Sequence, residues 1–185
     1  MRPQGTAAFF QGGEKVERLT ICEIDLKDSK RISEQNTTTR LDEYLLSLSK
    51  DVVAKIMQDQ AAVLELIGRL QKTLDAEYLR VYGGFLKDEL IAYVSLACCE
   101  DMPEIQIEVL PGYQGQGFGY EMLERAIRMA FEELGITKLK YVVIPSNLPS
   151  IALVEKLGGV LQEPKSYAEE MLLKTYVISS DFSGM

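Results

Sequence analysis

Apolar and polar positions alternate along Glu104–Leu110, with Ile105, Ile107 and Val109 on one side and Glu104, Gln106 and Glu108 on the other. A period of two predicts a β-strand with one buried and one polar face. Beyond it, Met122, Leu123, Ala126, Ile127, Ala130, Phe131 and Leu134 recur at helical spacing, and Gly135 stands where a left-handed helix stop is wanted. Leu139–Ile144 is then an apolar run, typical of a strand covered on both faces. Strand, turn, helix and strand in this order predict a parallel, right-handed crossover.

Upstream, Arg18–Leu26 reads as a strand and Lys27–Thr39 as a loop with a short helix. Residues 39–74 read as two or three helices. Thr39 with Asp42 resembles a capping box with a shorter acid, and Leu41, Tyr44, Leu45 and Leu48 follow at helical spacing. Ser49 offers a second start before Val52, Val53, Ile56 and Met57, and Val63, Leu66, Ile67, Leu70 and Leu74 continue the stripe. Glu77–Leu86 and Leu90–Cys98 predict a hairpin turning at Lys87-Asp88-Glu89, with Gly83-Gly84 marking a bulge or a close backbone approach. A helix over Leu148–Leu157 and strands over Val160–Gln162 and Glu169–Ile178 complete the pattern. The fold class is α/β with a mixed sheet. Residues 1–17 read as a flexible leader and residues 18–185 as a single domain.

Composition narrows the chemistry. The 185 residues carry a net charge of −8 and no dense Lys/Arg run, which argues against nucleic acid as a partner. The acidic balance serves solubility and favours cationic partners such as amines. There is no histidine, and the three cysteines, Cys22, Cys98 and Cys99, form no CxxC. A zinc site or a Ser/His/Asp triad is therefore not expected, and the metal expectation is none. Adjacent Cys98 and Cys99 point to opposite faces of a strand, so they are not expected to pair. Sparse cysteines fit a reducing cytoplasm. No apolar stretch reaches the length that spans a bilayer, so no membrane partner is expected.

Between the alternating strand and the helix lie Gly112, Gly115, Gly117 and Gly119. Glycine lets a backbone fold tightly and approach a ligand closely, and a helix start offers unpaired N–H groups. Together they suit a pyrophosphate. A GxxxxGK[ST] loop is absent, and GxGxxG fails because position 120 is Tyr. Gln114-Gly115-Gln116-Gly117-Phe118-Gly119 instead has the form Q-x-x-G-x-G. With Val109-Leu110-Pro111 before it, Asn147 after the next strand and Leu153–Gly158 closing the segment, the chain resembles the GCN5-related N-acetyltransferase (GNAT) superfamily. The resemblance is dense over Leu79–Gly159. The stretch from Asn147 to Gly159 is similar to the branch that includes ribosomal-protein N-terminal acetyltransferases.

The resemblance implies transfer of an acetyl group from acetyl-CoA to a primary amine on a small molecule or peptide, by direct attack. It implies that the strand at Ile107–Leu110 diverges from Tyr141–Ile144, with the pantetheine arm entering the split beside the backbone of Val109 and Leu110. Gln114, Gly115, Gln116, Gly117, Phe118, Gly119 and Tyr120 would bind the cofactor, with the amides from Gln116 to Tyr120 holding the pyrophosphate. Many relatives carry Arg or Lys where this chain has Gln114 and Gln116, so backbone amides have more to do here; Lys156 and Arg125 are candidates for the charge. Asn147 would contact the pantetheine arm or fix the local turn. The attacking amine must first lose a proton, and Glu108 and Glu104, on the polar strand face, are the candidate bases. Many members place a tyrosine where this chain has Val154, which cannot protonate a departing thiolate. Ser150, Tyr113 or Tyr141 would serve instead, or no acid is needed. A non-catalytic acyl-CoA sensor or scaffold is the alternative, and a homodimer is compatible with the family.

Overall fold

A computed structural model describes residues 18–24, 46–65, 68, 78–97 and 102–181. Expectations for residues 1–17, the 27–39 loop, the Thr39–Asp42 cap, Leu41 to Leu45, the stripe positions 66, 67, 70 and 74, and the Cys98–Cys99 pair lie outside these residues.

The described chain runs β1 (Thr20–Glu23), α1 (Lys50–Gln58), β2 (Tyr78–Leu86), β3 (Glu89–Ala97), β4 (Glu104–Val109) and α2 (Phe118–Glu132). It continues as β5 (Lys138–Val143), α3 (Leu148–Lys156), β6 (Val160–Leu161), α4 (Tyr167–Leu172) and β7 (Lys174–Ser179). The strands form one mixed sheet in the order β1-β2-β3-β4-β5-β7-β6. Pairing is antiparallel except between β4 and β5. No helix among the described residues is long and apolar enough to cross a membrane.

The core forms where the sequence periods meet. Met122, Leu123, Ala126, Ile127 and Ala130 line one side of α2 and are fully buried against the sheet. Each large apolar side chain buried in this way contributes roughly 1.5–3 kcal/mol. At the end of α2, Gly135 adopts φ +66°, and the Ile136 N–H turns back to Ala130 O at 3.1 Å. Strand β3 is central and buried on both faces from Ile91 to Ala97. Between β2 and β3 the glycine pair does both things expected of it. A register shift follows Gly84, and a Cβ on Gly84 would meet Met122 Sδ at 2.9 Å. Ser49 caps α1 by accepting from the Val52 N–H, as its sequence position implied. After Asp59 a second helical run covers residues 60–65.

The structure departs from the sequence reading in several places, β1 among them, which spans only Thr20–Glu23. The hairpin loop is Lys87-Asp88 alone, because Glu89 already pairs with Leu86. Strand β5 is not covered on both faces along its length. Leu139, Tyr141 and Val143 are buried, while Lys138 is exposed and Lys140 and Val142 are half-buried. Residues 169–178 are not one strand: 167–172 form α4, and only then does β7 begin. The cause is a cap. Ser166 Oγ accepts from the Glu169 N–H at 3.1 Å, and the Glu169 carboxylate accepts from the Lys165 N–H at 2.8 Å.

Candidate active site

The turn after β4 is closed by its own side chains. Gln114 Nε2 donates to Val109 O at 2.9 Å, and Gln116 Nε2 donates to Gly112 O at 2.8 Å. The Tyr113 N–H donates to Leu110 O at 3.1 Å. Both glutamines thus serve the shape of the turn. Gly115 and Gly117 adopt φ of +72° and +84°, values that a side chain at either place would strain.

Gly117 is the N-cap of α2, and no side chain caps the helix there. The first helical hydrogen bond is Glu121 N–H to Gly117 O at 3.2 Å. The backbone N–H groups of residues 114–119 find no acceptor among the described residues. They stand at the positive end of a 15-residue helix, an arrangement that favours an anion with several oxygens.

A cation that the sequence reading did not place also lies here. Arg18 Nη1 donates to Gln116 O at 2.9 Å, and its Nε donates to Glu121 Oε2 at 3.1 Å. The N–H groups of Arg18 and Leu19 donate to Glu121 Oε1 at 2.6 and 2.7 Å. The guanidinium lies 4.2 Å from the Phe118 ring centroid. Lys156 instead stacks on Tyr120, with Nζ 4.4 Å from its centroid.

Beside the turn the sheet divides. Strands β4 and β5 pair only at Glu104–Lys140, with the Lys140 N–H donating to Pro103 O at 2.9 Å. Past that point β4 is held on its far side by β3 throughout, and β5 on its far side by β7. The Leu110 N–H donates to Ile91 O at 2.8 Å, which fixes the alternation along β4. Glu104, Gln106, Glu108 and Leu110 turn their backbone groups to β3; Ile107 and Val109 turn theirs to the split. This corrects the expectation for Leu110: its N–H serves β3 and its carbonyl serves Tyr113. The carbonyl of Val109 is taken by Gln114. Ile107, which sequence reasoning passed over, shares the split with Val109; the parity of the β3–β4 register is its signal.

The two candidate bases have different surroundings. Tyr93 OH donates to Glu108 Oε2 at 2.8 Å from the neighbouring strand. Glu104 is buried at the closed end of the split, 3.6 Å from Lys140 Nζ, and accepts from Gln106 Nε2 at 3.0 Å. A buried carboxylate in such a pair is held in place by its partners.

On the opposite face, α3 begins at Asn147, whose side chain caps it by accepting from the Ser150 N–H at 3.4 Å. Asn147 therefore fixes the local turn. Ser150 Oγ and Tyr141 OH share a hydrogen bond. Burial pushes the Tyr141 phenol above its usual range, and the Ser150 contact opposes this in part. Val154 is fully buried in the same helix. Tyr113 packs edge-on to Phe118, and a hydrogen bond to Glu89 raises its phenol.

The arrangement has counterparts among known proteins. The family model for the acetyltransferase (GNAT) domain matches residues 18–160. No curated protein matches the chain. Among solved structures, spermidine N-acetyltransferase from Vibrio cholerae, in complex with CoA and spermine, is 22% identical with a TM-score of 0.58, over 88% of this chain and 95% of that one. The PaiA N-acetyltransferase of Thermoplasma acidophilum, in complex with coenzyme A, is 15% identical with a TM-score of 0.56, over 87% and 98%. A GNAT-family acetyltransferase from Bacillus anthracis is 18% identical with a TM-score of 0.56, over 89% and 96%. At such identities these likenesses speak for the fold, while the family model covers most of the chain. With its mixed sheet dividing beside a glycine turn and helix start, the chain belongs to the GNAT family of acyl-CoA-dependent N-acetyltransferases.

Proposed function

We propose that this chain transfers an acetyl group from acetyl-CoA to a primary amine, by direct attack with both substrates bound. The observation that carries the reading is the row of unaccepted N–H groups at residues 114–119 beside the divided strands. Residues 115–120 fit the diphosphate, and the backbone of Ile107 and Val109 fits the amide-bearing arm. Acetyl-CoA supplies an activated thioester. Glu108 takes the proton that the amine must shed, with Tyr93 holding the carboxylate in place. Glu104, tied to Lys140 and Gln106, keeps the closed end of the split together instead. Ser150, supported by its hydrogen bond with Tyr141, is the candidate to pass a proton to the departing sulfur. The net charge of −8 and the spermine complex of the Vibrio cholerae neighbour make polyamines the first acceptors to try.

The buried Val154 favours a second reading, a non-catalytic acyl-CoA sensor of the same fold. Two measurements decide. At a hundredfold excess over its dissociation constant, acetyl-CoA stabilises the protein by about 2.7 kcal/mol, a midpoint rise of roughly 5–10 °C for a chain of this size. No rise, or an equal rise with NAD, would falsify both readings. Thiol release is then followed over polyamines, amino sugars and peptides. Release with any one supports the transferase, and silence with all of them supports the sensor.

A further inference from the structure

We infer that Arg18, at the entrance to β1, readies this turn for the diphosphate of coenzyme A by neutralising Glu121 and fixing the Gln116–Gly117 peptide. The inference rests on the proposed cofactor site and adds to it a residue from outside the turn.

The turn has a charge problem. Its two long polar side chains are neutral glutamines, one committed to the last carbonyl of β4 and the other to a carbonyl of the turn. Glu121 adds a carboxylate in the first turn of α2, beside the amides offered to the anion. A carboxylate there stabilises the free helix but repels an incoming diphosphate.

Arg18 answers both difficulties. Its Nε, its own N–H and the Leu19 N–H all donate to the Glu121 carboxylate and offset its charge. Its Nη1 fixes the Gln116 carbonyl, and so the orientation of the peptide that presents the Gly117 N–H. Its Nη2 lies against Gly117, where a Cβ would come within 3.2 Å of it. The guanidinium plane rests on Phe118. A planar group held from three sides keeps its position better than a lysine would, and it suits oxyanions. Arg18 thus acts as a positioning residue, through Gln116, and offsets the Glu121 charge that would oppose the anion.

The test separates the diphosphate from the rest of the cofactor. Binding of CoA is measured by calorimetry for the wild type, Arg18→Gln and Arg18→Lys. The kcat/KM for S-acetyl-pantetheine, which lacks the diphosphate, is measured beside it. For Arg18→Gln we expect CoA binding at least about tenfold weaker, a flatter salt dependence of that binding, and kcat/KM for S-acetyl-pantetheine within about twofold of wild type. Arg18→Lys should fall between. A merely structural role would lower both measurements together, and that result overturns the inference; so does unchanged CoA binding in Arg18→Gln. Should Arg18→Gln fail to fold, the same comparison is made with Arg18→Lys, where an equal loss for both ligands overturns the inference and a loss confined to CoA supports it. A wild type that does not bind CoA removes the cofactor site itself, and the inference with it.

Discussion

Glu108 and Tyr93 meet across β3 and β4 on a face that the alternation of Glu104, Gln106 and Glu108 marks as polar. A base in this position must be ionised and aimed, and the tyrosine does the aiming. Replacing Glu108 with Gln keeps the shape and the Tyr93 contact while removing the basic oxygen. Turnover should fall at least about tenfold, with acetyl-CoA binding changed by less than about twofold. Unchanged turnover in a steady-state assay would remove Glu108 from the mechanism. The strand position of Glu108 and the left-handed backbone of Gly117 were legible because they follow from near neighbours in sequence. Arg18 was not, because its partners Gln116 and Glu121 lie 98 and 103 positions away. Leu110 was misjudged for a related reason: which strand edge a backbone group faces depends on the register with β3.

At the scale of elements, β7 and α3 are joined by Tyr176 OH, which donates to Glu155 Oε1 at 2.9 Å. The ring is 1% exposed, and its phenol is pushed up to about 12, first by burial and then by the bond to Glu155 and its charge. The folded state therefore keeps a proton that the unfolded chain releases near its ordinary value of 10. The stabilisation is complete below pH 10 and is lost as pH rises toward 12, by an amount on the order of 2 kcal/mol. Tyr141 is shifted the same way and adds to the slope. Denaturant melts between pH 9 and pH 12 should show stability falling, and less steeply in Tyr176→Phe; an identical slope in the variant would refute the assignment. The elements themselves were read with uneven success. Helix α2 and strand β4 have strict periods and were plain in the sequence. Helix α4 was missed because the apolar residues Met171, Leu172 and Leu173 run into β7. Its cap, Ser166 with Glu169, was present in the sequence and is the signal that separates the two.

For the whole molecule, the parallel crossover from β4 through α2 to β5 was foreseen from element order alone. The family resemblance, not the hydrophobic pattern, supplied the divergence of the two strands. Pattern reports which face a strand buries; it says nothing of how far apart two neighbours stand. What the sheet shows is two antiparallel sets, β1 to β4 and β5-β7-β6, joined at the Glu104–Lys140 pair.

A seam left unbonded in this way can be watched directly. In free protein the amide hydrogens of Ile107 and Val109 should exchange with deuterium quickly, although they sit in the middle of a sheet. Adding coenzyme A should slow them by at least about tenfold, since the ligand would then stand in for the missing rungs. Slow exchange without the ligand would mean that the seam is already zipped.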